Sequence, residues 1–237
     1  MCYLKRMEPT ILTQGPGWLV IDKPAGLSVH NDPEGKADAL SVLHAILTRN
    51  PELAKATAWD RAFGLAPVHR LDRDTSGVLL IATQKNTASR LQQEFEARRV
   101  EKTYRAIVRG SLQGGGSWNF PLSERAEGRR NPQGPLAERK PCSTVFRLVR
   151  ANAHLSELEI DLLTGRQHQI RRHAALARHE VAFDRRYGDP RYVKRLEGIF
   201  GFSRLLLHSS RLKLTSGETR IDVESPTPEE FERVFAP

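Results

Sequence analysis

The sequence predicts an α+β fold, with a mixed, largely antiparallel sheet flanked by helices and loops. Three observations carry that prediction. Lys102–Arg109 and His154–Leu163 alternate their side chains with period two. Gly77–Ala82 (GVLLIA) is continuously apolar, as suits a strand buried on both faces. Helix-spaced stretches lie among these strands, but without the regular strand–helix rhythm of a parallel, doubly wound sheet.

Taken in order, Trp18–Asp22 (WLVID) reads as a short strand that stops at Pro24. Ala37–Leu47 sets Leu40, Leu43, Ile46 and Leu47 at helical spacing. The buried strand Gly77–Ala82 leads into an amphipathic helix over Asn86–Arg98, with Ala88, Leu91 and Phe95 on one stripe. In Lys102–Arg109, Tyr104, Ala106 and Val108 share a face. Residues 110–143 then lose all period through Gly114-Gly115-Gly116, Pro121, Gly128, Gly134-Pro135 and Pro141. The same segment carries Arg125, Arg129, Arg130, Arg139 and Lys140, so it is either a solvated loop or a basic arm that tracks phosphates. In His154–Leu163, Leu158, Ile160 and Leu162 point one way and Glu157, Glu159 and Asp161 the other. Gln167–Arg178 returns to helical spacing, and Gly201–Leu214 is a mixed, strand-like stretch.

Composition narrows the function classes. Apolar residues are 39% of the 237, enough for a core, which excludes a mainly disordered chain. Two cysteines, Cys2 and Cys142, exclude a disulfide scaffold and a multi-thiolate zinc site. No apolar run approaches the roughly 18–20 residues of a membrane span, and MCYLKRMEPTILTQG lacks the apolar core of a secretion signal. The expectation is a cytoplasmic protein with no membrane contact and no obligate protein partner. A formal charge of +9 and a pI near 9.9 point to a polyanionic partner, nucleic acid first.

Two polar clusters could hold chemistry. His69-Arg70-Leu71-Asp72-Arg73-Asp74-Thr75-Ser76-Gly77 leads straight into the buried strand, which would fix the loop's geometry. Arg70 and Arg73 would keep Asp72 ionised there, whereas Asp74 suits an Asx-turn closed by Thr75, Ser76 and Gly77. The second cluster runs from Leu163 to His173 (LTGRQHQIRRH), where a strand end, a Thr-Gly turn and a helix start follow one another. Its exposed helix N–H groups, with Arg166, His168 and Arg171, would attract phosphate or carboxylate. Asp72, Asp74, His168 and His173 make a thin ligand set for a metal, since the two histidines are five apart and a shared helix face needs three or four. No Gly-rich nucleotide loop is present, so no cofactor is expected.

These stretches resemble the A-type family of pseudouridine synthases, the ribosomal large-subunit type. HRLDRDTSGVLLIA (69–82) is similar to the family signature. GWLVIDKPAGLSVH (17–30), KTYRAIVRG (102–110), LLTGRQHQIRRH (162–173) and RLLLHSSRL (204–212) resemble four further blocks, all in family order. One departure is Arg178-His179-Glu180-Val181-Ala182-Phe183-Asp184, where the family usually has Gly-His-Pro-x-x-Gly-Asp. Too few residues precede Trp18 for the additional N-terminal RNA-binding domain many members carry. The expected organisation is therefore an extension over 1–10 and a single catalytic domain over 11–237.

The resemblance implies isomerisation of uridine to pseudouridine in structured RNA, rRNA or tRNA, with no cofactor and no metal. It makes Asp72 the essential carboxylate, acting on C1′ directly or by assisting glycal formation. Arg166 matches the arginine that pairs with that aspartate, and Tyr104 the tyrosine that packs on the uracil and is a candidate for the C5 proton transfer. Arg70 matches a residue that fills the gap left by the flipped base. His69, His168, Gln169 and Arg171 complete the expected substrate-binding set. The competing readings are a non-catalytic RNA-binding or ribosome-assembly protein on the same scaffold, and a metal-dependent nuclease using Asp72 and Asp74.

Overall fold

A computed structural model describes residues 8–30 and 35–236, so Cys2 and most of the expected N-terminal extension lie outside the described residues. The elements are β1 (Thr10–Gly15), β2 (Trp18–Lys23), α1 (Ala39–Arg49), α2 (Pro51–Ala56), β3 (Ala66–Pro67), β4 (Ser76–Ala82), α3 (Lys85–Glu96), β5 (Glu101–Arg109), β6 (Gly116–Trp118), β7 (Thr144–Ala151), β8 (Leu155–Leu162), α4 (Gln169–Leu176), α5 (Pro190–Phe200), β9 (Leu207–Ser216), β10 (Thr219–Glu224) and α6 (Glu230–Arg233). The chain forms two compact units. One takes residues up to Glu101 together with Ser209–Pro226, and the other takes Lys102–His208 and the chain from Thr227.

In the first unit, β2 pairs antiparallel with β1 and with β4, β3 pairs antiparallel with β4, and β10 with β9. β4 is buried at every residue, as its apolar run requires. Val78, Leu80 and Ala82 face a core completed by Trp18, Val20, Leu91, Leu212, Leu214 and Ile221. Ala88 and Leu91 of α3 join that core, with Phe95 packed at its edge, so the predicted stripe is the one that is buried. Helix α1 begins at Ala39, two residues later than its apolar spacing suggests, because Asp38 caps it in a reciprocal pair of hydrogen bonds with Ser41.

In the second unit the strand order is β5-β8-β7-β6, antiparallel throughout. Its core gathers Ile107, Leu155, Phe183, Leu196, Leu206 and Phe231. Glu157 departs from the expected open face: it is fully buried, with Arg105 and Arg150 each donating to one of its carboxylate oxygens. The reason is position, since β8 lies between two strands that each bring an arginine to it. The strand-like stretch from Gly201 is strand only from Leu207, because Gly201 (φ 71) is the left-handed cap that ends α5.

The irregular segment after β5 is anchored. Leu122 and Lys140 bridge each other, and Arg172 reaches under the loop between them. Its guanidinium, fully buried, donates to the carbonyls of Ser123, Pro132, Gln133 and Gln167 and to Ser123 Oγ. Arg139, expected among the phosphate-seeking cations, folds back onto Gly134 O and Gln133 Oε1 at 2.9 and 3.2 Å. Arg125, Arg129, Arg130 and Lys140 remain exposed.

Candidate active site

Asp72 sits half-buried in the first unit, on the loop that enters β4. The turn is closed by Thr75 N donating to the Asp72 carbonyl (3.1 Å), whereas Asp74, expected to make an Asx-turn, leaves its carboxylate exposed. A clasp of main-chain carbonyls holds the other side. The buried Lys23 ammonium donates to the carbonyls of Pro24, Leu27 and Arg73 at 2.8–3.0 Å. Gly26 N donates to the same Arg73 carbonyl, and Arg73 Nε donates back to Gly26 O. The Lys-Pro-x-Gly turn thus fixes the peptide immediately after Asp72. Gly77 (φ +109) fixes the loop's exit, because a Cβ there would collide with Ser209 O of β9.

His69, expected at the substrate, has its Nε2 accepting Leu80 N (3.0 Å) and its ring stacked on Phe95 at 4.9 Å. It is a post for the loop. Arg70 is exposed. Thr75 Oγ1 is buried without a hydrogen-bond partner, an unsatisfied group one residue into the turn's end.

In the second unit, Tyr104 is buried on β5 opposite Ile160 of β8. Arg166 rides the turn between β8 and α4, and its Nε is buried without an acceptor. That turn is held by Gln169, whose Oε1 accepts Thr164 Oγ1 (2.8 Å) and Arg166 N (3.1 Å). Gln169 Nε2 donates to Ser143 O (2.9 Å) and Thr144 Oγ1 (3.2 Å). Gln169, expected to touch substrate, is therefore spent on shaping the turn. Arg171, also expected at the substrate, is 5% exposed and makes a bidentate pair with the buried Asp184, at 2.7 and 2.9 Å. Asp184 also accepts from Arg186 N and Tyr187 N, so this pair builds the 184–187 turn. His168 stands at the start of α4 with φ 53, its Nδ1 2.9 Å from Tyr187 Oη. Burial pushes the Tyr187 phenol above its ordinary pKa, which keeps its hydroxyl protonated.

Sequence reasoning left three supports unassigned. Lys23 carried a signal in its motif, while Thr144 and Tyr187 carried none. Arg178 and Phe183, which stand where the resembling family has glycine, adopt φ of 62 and 63, so the left-handed backbone persists without glycine. Phe183 offsets its strain by packing on Phe202 (4.7 Å) and Phe200 (6.3 Å). Among the described residues no group of three or more His, Cys, Asp or Glu side chains comes together as a metal site, and no helix is long and apolar enough to cross a membrane.

A carboxylate loop braced on a buried strand, and an arginine turn with an unpaired buried donor, are the two features suited to a charged transition state. Residues 17–176 match the family model described as RNA pseudouridylate synthase. Ribosomal large subunit pseudouridine synthase C of Escherichia coli is 35% identical over 234 residues, covering 96% of this chain and 69% of that protein. The same-named protein of Vibrio vulnificus is 32% identical, also over 96% and 69%. Human RNA pseudouridylate synthase domain containing 1 and domain containing 4 share the fold, with TM-scores of 0.73 and 0.74 at 24% and 23% identity. They are covered to 84% and 90% of their length, and each covers 94% of this chain. The chain belongs to the RNA pseudouridylate synthase family. It is an RNA-acting isomerase that converts uridine to pseudouridine.

Proposed function

We propose that the substrate is large-subunit ribosomal RNA in the cytoplasm, and that Asp72, Tyr104 and Arg166 carry the reaction. The observation behind the residue assignment is Arg166 itself. Its turn is locked by Gln169 while its Nε is left buried without an acceptor, an arrangement that costs about 1–3 kcal/mol and is suited to a carboxylate or a developing anion. The two curated relatives are named for the ribosomal large subunit, which supports that target.

The target uridine leaves its stack at a cost of about a few kcal/mol, and the exposed Arg70 takes up the vacated space by stacking and phosphate contact. Asp72 acts at the ribose, either attacking C1′ as the N1–C1′ bond breaks or removing a ribose proton to give a glycal. Arg166 orients that carboxylate and stabilises charge as it develops. Tyr104 packs on the freed uracil, which turns so that C5 bonds to C1′. The C5 proton is lost and N1 gains one, so the rearrangement is redox-neutral and its atoms balance. His168 contacts the RNA in this reading, whereas His69, Gln169 and Arg171 act as supports. The two compact units serve one catalytic domain over 11–237.

Asp72→Asn tests this directly. It keeps shape and removes charge, so turnover should fall by about a thousandfold with RNA affinity within about threefold. Turnover within tenfold of wild type would remove Asp72 from the mechanism. Mapping pseudouridines in 23S-type and transfer RNA from cells with and without the protein assigns the target, and loss confined to transfer RNA would overturn the ribosomal reading.

A further inference from the structure

Thr144 opens β7 with its side chain fully buried, and its hydroxyl is the junction of a hydrogen-bond chain. On one side His173 Nδ1 lies 2.9 Å away, and His173 Nε2 lies 2.9 Å from the carbonyl of Phe120. On the other side Gln169 Nε2 donates to Thr144 Oγ1. The polarity of the chain follows from its far end. A carbonyl only accepts, so His173 Nε2 carries the ring proton and Nδ1 is a lone pair. Thr144 must then donate to Nδ1, which leaves its oxygen to accept from the Gln169 amide. Together with the Ser143 carbonyl, which also accepts from Nε2, that holds the amide with Oε1 facing Thr164 Oγ1 and Arg166 N. Burial, with Arg172 adjacent, holds His173 far below its ordinary pKa, near 4, so this polarity is constant at neutral pH.

We propose that Thr144 and His173 are positioning residues for Arg166. Neither is assigned to substrate. They act through Gln169, whose amide direction is given by the Ser143 carbonyl and Arg166 N, by holding its Nε2 in place and hence the position in which the Thr164–Arg166 turn holds the guanidinium. This inference rests on the reading of Arg166 as the arginine that orients the catalytic aspartate. A hydroxyl at 144 is the requirement, because only a hydroxyl can donate to Nδ1 and accept from the amide at once.

The test is a double-mutant cycle of Thr144→Val and Thr144→Ser with Arg166→Lys, read as single-turnover rate at saturating enzyme, RNA affinity and melting temperature. Arg166→Lys should slow the rate about thirtyfold. Thr144→Val should slow it about tenfold with affinity within twofold, and Thr144→Ser should restore it to within about threefold of wild type. On the Arg166→Lys background Thr144→Val should add less than about twofold, since the group it positions is already gone. A full independent loss there would mean a general packing role and overturn the proposal, as would an unslowed Thr144→Val. If Thr144→Val does not fold, Thr144→Ala takes its place in the same cycle and is judged by the same criteria. An unchanged rate for Arg166→Lys alone would overturn the reading of Arg166, a result distinct from the failure of the relay.

Discussion

The two motif regions reach rigidity by different means. The loop bearing Asp72 is clamped by backbone: three carbonyls on Lys23, the Gly26–Arg73 exchange, and a glycine pressed against the main chain of β9. The turn bearing Arg166 is held by side chains, with Gln169, Thr144 and His173 in series. That clamp tolerates little change in shape, and its acceptors are main-chain carbonyls that no substitution removes. A side-chain series has spare room yet depends on the protonation and hydroxyl content of each member.

The motif glycines should break this symmetry most visibly. A Cβ at Gly77 would collide with Ser209 O, so Gly77→Ala should destabilise by about 3 kcal/mol or more, or fail to fold. A Cβ at Gly165 would meet nothing closer than Lys102 Nζ at 3.9 Å, so Gly165→Ala should stay within about 1 kcal/mol. Denaturant unfolding of both variants measures the contrast, and equal losses would mean the two regions are clamped alike.

Acid separates them next. His173 has a folded pKa near 4 against an ordinary 6.5, lowered first by burial. Between those values the unfolded chain binds a proton that the folded one refuses. Stability is therefore complete above about pH 6.5 and falls as pH drops toward 4, by about 2–3 kcal/mol. The buried groups facing the ring are Arg172 and the Cys142 thiol, 3.5 Å from Nε2, and neither supplies a counter-charge. Carbonyl acceptors do not titrate, so the Lys23 clasp should not share this loss. Hydrogen exchange at Arg166 N and at Thr75 N across pH 4–7 reads each region separately. Parallel loss of protection would refute the distinction.

These contrasts show which parts of the fold the sequence disclosed. β4, α3 and β5 were legible because their patterns follow burial on one or two faces. Asp72 and Arg166 were legible through motifs. Less legible were the packing partners of polar side chains: Asp184 for Arg171, Leu80 N and Phe95 for His69, and two arginines for Glu157. A carboxylate or guanidinium reads as solvent- or ligand-facing until its partner, distant in sequence, is known. β7 alternates in burial but follows a segment full of Gly and Pro, and α5 carried readable signals in Asp189, Pro190 and Gly201 that its mixed composition hid.

Beyond α4, relief of strain gives a smaller effect of opposite sign. Arg178 is exposed with φ 62, where a side chain costs backbone energy and contributes little packing. Arg178→Gly should stabilise the protein by about 1 kcal/mol without slowing single turnover, whereas Phe183→Gly should destabilise it by removing a core aromatic. Thermal melts of the two variants decide this, and a destabilised Arg178→Gly would show that the arginine holds something the turn needs.

The smallest effects belong to the segment between β6 and β7, where the same division recurs among arginines. Arg125, Arg129 and Arg130 are exposed on a loop that Arg172 anchors from beneath, so they are presented to a polyanion at little further ordering cost. Arg139 is committed to Gly134 and Gln133. Replacing Arg125, Arg129 and Arg130 by Ser should flatten the dependence of log affinity on log salt by about 0.7–0.9 for each phosphate no longer neutralised. The single-turnover rate at saturating enzyme should hold. Arg139→Ser should instead leave the salt slope unchanged and lower the melting temperature, because its bonds are internal. An unchanged slope in the triple variant would make the loop a solvated brace. A flattened slope in Arg139→Ser would mean that this arginine releases its carbonyls to meet the RNA, making even the braced part of the loop an adaptable contact.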